Sequence, residues 1–276
     1  MITQYGTNDK PKLGVSSCLL GAAVRHDGGH KHNRYLTGTL KEFFEFVPVC
    51  PESDIGLGTP REALHLEGGL NDIRVRGNRN HDHDVTDLLR NHGKKMACQM
   101  HDLSGYIFKS RSPSCGLERV SRRPSADKDP IKDGTGQYAA GFIGAQPLLH
   151  VEEDWRLQDP TLRENFFERV FVFQRWLYHS RQLGPKMLVE FHTGHKLLIL
   201  AHGAQALRQL GQLVAQAGVE PIEKVRFAYI AQLMQTLKNP AKRKGHTNVL
   251  QHMQGYLKEH IDRKNRAELV ENIEKY

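Results

Sequence analysis

The sequence has only four cysteines, Cys18, Cys50, Cys98 and Cys115, in 276 residues, and no C-x-x-C pair. That excludes a zinc ribbon and a thioredoxin-like redox motif. The H-x-E…P-C-x-x-C signature of the zinc nucleobase deaminases is also missing. No apolar run is long enough to span a bilayer. The most apolar stretch, residues 188–202, is broken by Glu190, His192, His195 and Lys196, which a spanning helix would not carry. Residues 1–12 are polar and lack the apolar segment of a signal peptide. We therefore expect a soluble, cytoplasmic protein with no membrane association. In a reducing cytosol the four cysteines are expected to be ligands, nucleophiles or buried thiols rather than disulfides.

Apolar residues make up 38% and charged residues 25% of the chain, sufficient for a core and unlike a disordered polymer. Lys+Arg exceed Asp+Glu by 39 − 31 = 8. Residues 12–149 alternate strand, loop and helix. Residues 12–17 read as a short strand ending at Cys18, residues 38–46 have helical spacing, and residues 46–50 read as a second strand. Residues 85–103 are amphipathic, with Leu88, Leu89, Met96 and Met100 near a 3.6-residue period. Residues 106–109 form a third strand, and the basic, Pro- and Gly-rich residues 119–137 read as a loop. This alternation predicts an α/β domain with a mostly parallel sheet, whose ligand sits beyond the C-terminal strand ends. From about residue 151 the strand signal disappears. Helical periodicity runs over residues 162–177, 185–201, 204–217, 221–238 and 247–260, so an all-α C-terminal domain follows a boundary near residues 150–160. Residues 1–150 hold 20 Lys+Arg against 17 Asp+Glu and residues 151–276 hold 19 against 14, so the excess leans toward the helical half.

Cys18 and Cys50 end the first two strands, and Cys115 follows the third. In a parallel sheet all three thiols emerge at one edge, and flanking glycine or proline would let the backbone approach a bulky inorganic group. Three converging thiolates suit a [4Fe–4S] cluster with one open iron, or zinc with a water ligand; three unrelated buried cysteines fit the same spacing. Cys98, inside the amphipathic helix, reads as a core thiol.

Val15-Ser-Ser-Cys18-Leu-Leu-Gly21 with Val24-Arg-His-Asp27-Gly-Gly29, Val47-Pro-Val-Cys50-Pro-Glu52 with Gly56-Leu-Gly-Thr-Pro-Arg61, and Lys109-Ser-Arg-Ser-Pro-Ser-Cys115-Gly116 resemble, in order, the three motifs of the thiouracil desulfidase (TudS-type) domain. Glu190-Phe-His192-Thr-Gly-His195-Lys196 and Lys242-Arg-Lys-Gly-His246-Thr-Asn248 resemble the YbgA-type helical domain. The fusion is similar to the bacterial tRNA 4-thiouridine desulfidases. The resemblance implies a Rossmann-like desulfidase domain over residues 1–150 and an all-helical domain over residues 160–276. Helical domains of this type run further, so a missing C-terminal end is also expected. It further implies a [4Fe–4S] cluster on Cys18, Cys50 and Cys115, whose open iron takes a thiocarbonyl sulfur while water displaces hydrosulfide without net electron transfer. Asp27, Glu52 and Ser112 become acid/base candidates, and Arg25, Arg61, Lys109 and Ser110 substrate-orienting ones. For each a local structural role stays open: Asp27 capping a turn, Ser112 bonding the loop, Arg61 pairing with a carboxylate.

The substrate expected from this resemblance is 4-thiouridine in tRNA. Free thiouracil or a thionucleotide is the alternative, and a non-catalytic iron–sulfur RNA-binding or sensor protein is another. His192, His195, Lys196, Lys242, Arg243, Lys244, His246 and Asn248 read as a polar face for RNA, with an interhelical hydrogen-bond network as the competing account. His192, His195 and His202 share a helix face but span nearly three turns, too far to hold one ion. Residues 119–123, 128–132 and 242–244 carry charge suited to phosphate. His26, His30, His32, His81 and His83 are expected in exposed loops.

Overall fold

A computed structural model describes residues 10–125, 128–180, 184–257 and 259–275; the polar residues 1–9 lie outside them. The chain divides into two compact units between Arg175 and Trp176. In chain order the first holds β1 (Lys12–Ser16), α1 (Arg34–Thr37), β2 (Glu45–Val49), α2 (Pro51–Asp54), β3 (Leu64–Glu67), β4 (Arg74–Gly77), α3 (Thr86–Gln99), β5 (Gly105–Phe108), β6 (Val120–Arg123), β7 (Ile131–Gly134), α4 (Gln137–Ala145), β8 (Val151–Glu153) and most of α5 (Pro160–His179).

Four of these strands form a wholly parallel sheet in the order β2-β1-β5-β8. Alternation along β1 and β5 fills both of its faces. Leu13, Val15 and Ile107 face one way, into a cluster with Leu19, Leu36, Phe166 and Val170. Tyr106 and Phe108 face the other way, their rings 3.9 Å apart, beneath Phe142 and Tyr138 of α4. The periodicity of residues 162–177 groups α5 with the later helices. Its Phe166 and Val170 are fully buried against the sheet instead, each burial contributing about 1.5–3 kcal/mol. Since β2 and β5 flank β1, the connections after β1 and β5 diverge at a topological switch point, the place where open α/β sheets bind ligands.

A second sheet is mixed, in the order β4-β3-β6-β7, and its strands β6 and β7 fall within residues 119–137, which sequence periodicity reads as loop. The pattern hides β6 because one inward position is charged. Buried Arg122 donates to Asp133 from Nε at 3.0 Å and Nη2 at 2.7 Å, and also to the Gly68 carbonyl. That pairing removes Arg122 from the basic surface expected over residues 119–123. Other expectations shift too. Within residues 38–46 the helical spacing yields only a short 3-10 turn, Leu40–Glu42, which buries Leu40, before β2 begins at Glu45. The strand signal does not end at residue 151, since β8 forms there from one valine and two glutamates. On α3 the buried stripe is Thr86, Leu89, Gly93 and Ala97. Leu88 is exposed, and Cys98 is exposed rather than a core thiol, because it stands about 100° around the helix from Ala97.

The second unit contains the end of α5, then α6 (Pro185–His202), α7 (Ala204–Ala215), α8 (Ile222–Leu237), α9 (Arg243–Leu257) and α10 (Arg263–Lys275). The first four of these were legible as periodic segments; α10 was not. Trp176, Phe191 and Tyr229 form its aromatic centre, Trp176 stacked on Tyr229 at 5.8 Å and edge-on to Phe191 at 5.1 Å. Among the described residues no helix is long and apolar enough to cross a membrane.

Candidate metal centre

The connections leaving β1, β2 and β5 line one cavity of about 580 Å³, and Cys18, Cys50 and Cys115 all lie on its wall. Cys18 sits in the 3-10 turn Ser17–Leu20, which Gly21 closes at φ 95°, a left-handed conformation that favours glycine. Cys50 precedes α2, with Pro51 opening the helix, and Ser53 Oγ donates to its sulfur at 3.2 Å. The Cys115 loop is folded by Ser112, whose hydroxyl accepts the Ser114 and Cys115 N–H groups at 3.2 and 3.1 Å. The glycine after Cys115 does not open space for an inorganic group, contrary to expectation. A Cβ on Gly116 would meet the Val120 side chain and the Ser112 carbonyl, so the missing side chain makes room for the protein itself.

Burial pushes the Cys18 thiol up to about 11 against the opposing pull of the Lys109 ammonium, and burial raises the Cys115 thiol as well. Cys50 is among the causes acting on both thiols and Cys18 among those acting on Cys115, which places the three within electrostatic reach. A soft cation that replaces the thiol protons would remove that burdened state. The donor set therefore fits a [4Fe–4S] cluster with one open iron, and also a three-thiolate zinc. Cys98 lies away from this wall.

The remaining candidates fall into three groups. Glu52 lines the cavity with both oxygens engaged: Oε2 accepts from Arg61 Nε at 2.9 Å and Nη2 at 2.6 Å, and Oε1 accepts from Ser114 Oγ at 2.7 Å. Arg61 also donates to the Val24 and Gly58 carbonyls, so in this state it ties loops together rather than pointing free into the cavity. Lys109 and Ser110 form the second group. Lys109 Nζ reaches Asp154 at 2.9 and 3.1 Å and Ser110 Oγ at 2.8 Å, while the Ser110 N–H donates to Asp154. The third group splits. Arg25 is on the wall, but Asp27 is exposed beside it, accepting the Gly29 N–H at 3.0 Å. That hydrogen bond, more than Arg25, holds its carboxyl below the usual range. Asp27 caps a turn.

Four residues near the cavity were missed. Asp154 follows β8, a strand too short to give a periodic signal, and it anchors Lys109. His26, expected in an exposed loop, is half-buried on the wall, beside Lys31. Arg111 also lines the cavity, at φ 61°, a left-handed conformation costly for a side chain with a Cβ.

In the helical unit the residues proposed for RNA do not form one face. His195 is 3% exposed, stacked on Phe191 at 4.1 Å, with Nδ1 2.7 Å from the Phe191 carbonyl; it is a core residue, which corrects its assignment to a contact face. His192 Nδ1 meets the Tyr229 hydroxyl at 3.1 Å, and burial lowers its pKa. Lys196 is exposed with its ammonium 5.8 Å from the centre of the Tyr256 ring. Lys242, Arg243, Lys244 and Asn248 instead border a second cavity, of about 890 Å³, at the start of α9. His246 is half-buried and outside its lining.

An α/β domain with three cysteines at its strand ends defines a class of thiol-lined centres, and comparison with known proteins specifies it. Residues 13–154, just over half of the chain, match the 2-thiouracil desulfurase family, and the chain belongs to that family. Residues 196–276 match a family described as protein of unknown function (DUF1722). The chain is 36% identical over 122 residues to the uncharacterized protein YbgA of Escherichia coli (strain K12), covering 44% of this chain and 70% of that protein. It is 32% identical over 108 residues to the uncharacterized protein YbbK of Bacillus subtilis (strain 168), covering 37% and 71%. A solved structure, the [4Fe-4S]-dependent thiouracil desulfidase TudS, is 27% identical with a TM-score of 0.44, over 54% of this chain and 94% of that one.

Proposed function

We propose that the chain is an iron–sulfur desulfidase that converts 4-thiouridine in tRNA to uridine and hydrosulfide. The observation that carries this is the meeting of Cys18, Cys50 and Cys115, from three connections far apart in sequence, on one cavity wall of a 2-thiouracil desulfurase fold. A [4Fe–4S] cluster on these thiolates would supply an open iron, a soft Lewis acid that prefers a thiocarbonyl sulfur to a carbonyl oxygen. Water oxygen replaces sulfur at the ring carbon, sulfur leaves as hydrosulfide, and no electrons are exchanged.

The chain's own groups handle protons and position. Glu52 is the proposed base: Oε1 exchanges the Ser114 hydroxyl for the attacking water, while Arg61 keeps Oε2 fixed. Ser112, a lining residue, holds the Cys115 loop closed and would pass a proton. Lys109 and Ser110, fixed by Asp154, and Arg25 on the wall would orient the pyrimidine. Asp27 takes no part in the chemistry in this account. Lys242, Arg243 and Lys244, with Asn248, are proposed to hold tRNA phosphates or sugars.

The test is anaerobic reconstitution followed by incubation with thiolated tRNA and, separately, free 2-thiouracil. Loss of 4-thiouridine absorbance with equimolar sulfide and no added reductant is expected. Turnover of 2-thiouracil alone would replace the tRNA reading with the free-base one, and inertness of the iron-loaded chain toward both would overturn desulfidation.

A further inference from the structure

The mixed sheet carries a second group of metal-ligating side chains, on residues that the proposed reaction does not use. We propose that His65, Glu67 and His81 form a binding site for a divalent transition-metal ion of the zinc class. His65 and Glu67 are two apart on β3 and so share one face, and His81, just past β4, is brought over it. Their ligand atoms all lie within 4.8 Å of one another.

The geometry is close to what a tetrahedral ion requires. Glu67 Oε2 is 3.2 Å from His65 Nε2 and 3.9 Å from His81 Nδ1. Donors each about 2.0–2.1 Å from zinc stand roughly 3.3 Å apart at the tetrahedral angle, so small side-chain movements admit the ion. The two imidazoles meet edge to face, with centroids 5.6 Å apart. Arg76 Nη1 holds the other carboxylate oxygen, Oε1, at 3.0 Å, fixing the carboxylate as an outer partner of a ligand does and leaving Oε2 to both histidines. His65 Nδ1 is buried with no hydrogen-bond partner among the described residues, so the ring's placement is set by what Nε2 faces. His81, with its side chain 60% exposed, leaves the fourth position open to water. Two imidazole nitrogens and one carboxylate oxygen select zinc, cobalt, nickel or copper over magnesium or calcium. Leu64, next to His65, lines the thiol cavity, so a bound ion would tie the loop after β4 to the strand that walls that cavity.

The full-length chain, its thiol site filled by anaerobic reconstitution, is dialysed against micromolar zinc chloride, and zinc and iron are counted by plasma emission. One zinc per chain is expected. His81→Ala, a change on an exposed loop, and Glu67→Gln should each weaken zinc affinity by roughly tenfold or more, whereas Cys50→Ser should keep the zinc while losing iron. Unchanged zinc affinity in folded His81→Ala, or no zinc on the iron-loaded chain, would overturn the proposal and leave a hydrogen-bonded triad. Neither result bears on desulfidation, which is read from iron and sulfide.

Discussion

The two cavities differ in how their polar groups are held. In the thiol cavity nearly every candidate is already engaged by the protein: Glu52 by Arg61 and Ser114, Lys109 by Asp154, Ser112 by the backbone of the Cys115 loop. The cavity beside α9 is bordered by Lys242, Arg243 and Lys244, all exposed. A site that changes a covalent bond needs groups fixed before substrate arrives. A site that holds a phosphate backbone gains more from accessible cations, at the cost of sensitivity to salt. The first arrangement should fail sharply on single changes and the second gradually.

The largest effect is expected for Cys18→Ser, Cys50→Ser or Cys115→Ser, each eliminating iron retention and activity together, with Cys98→Ser at wild-type levels in both assays. Next is Glu52→Gln, which should retain iron yet lose about 10²–10⁴-fold in turnover, measured by sulfide release. Asp154→Ala leaves the half-buried Lys109 ammonium without its carboxylate. It should destabilise the first unit by about 1–3 kcal/mol in denaturant titration and raise KM more than it lowers kcat. The smallest effect belongs to the other cavity. Lys242→Gln with Lys244→Gln should lower the salt dependence of tRNA binding by a slope of about 2 while leaving 2-thiouracil turnover unchanged; loss of both activities would mean that these lysines support the fold.

The parallel sheet and the three cysteines were legible because two short apolar strands lead into Cys18 and Cys50 and a third is followed by the Cys115 loop, and strand direction follows from the alternation with helices. The mixed sheet was not, since β6 buries Arg122 against Asp133 and so lacks apolar alternation. Asp154 was missed for a related reason: β8 has three residues, two of them acidic. Cys98 was misplaced because Leu88 and Met96 mimic a stripe that Thr86, Leu89, Gly93 and Ala97 in fact provide. His195 looked like a contact residue in a polar motif, and only packing reveals that its ring lies on Phe191.

The central claim is that three of the four cysteines, and not the fourth, hold an iron–sulfur cluster at the sheet's switch point. Iron and acid-labile sulfide counted per chain after anaerobic reconstitution test it most directly. The account predicts about four of each in the wild type and in Cys98→Ser, and neither in Cys18→Ser, Cys50→Ser or Cys115→Ser. A full cluster in any of those three, or its loss in Cys98→Ser, would contradict it.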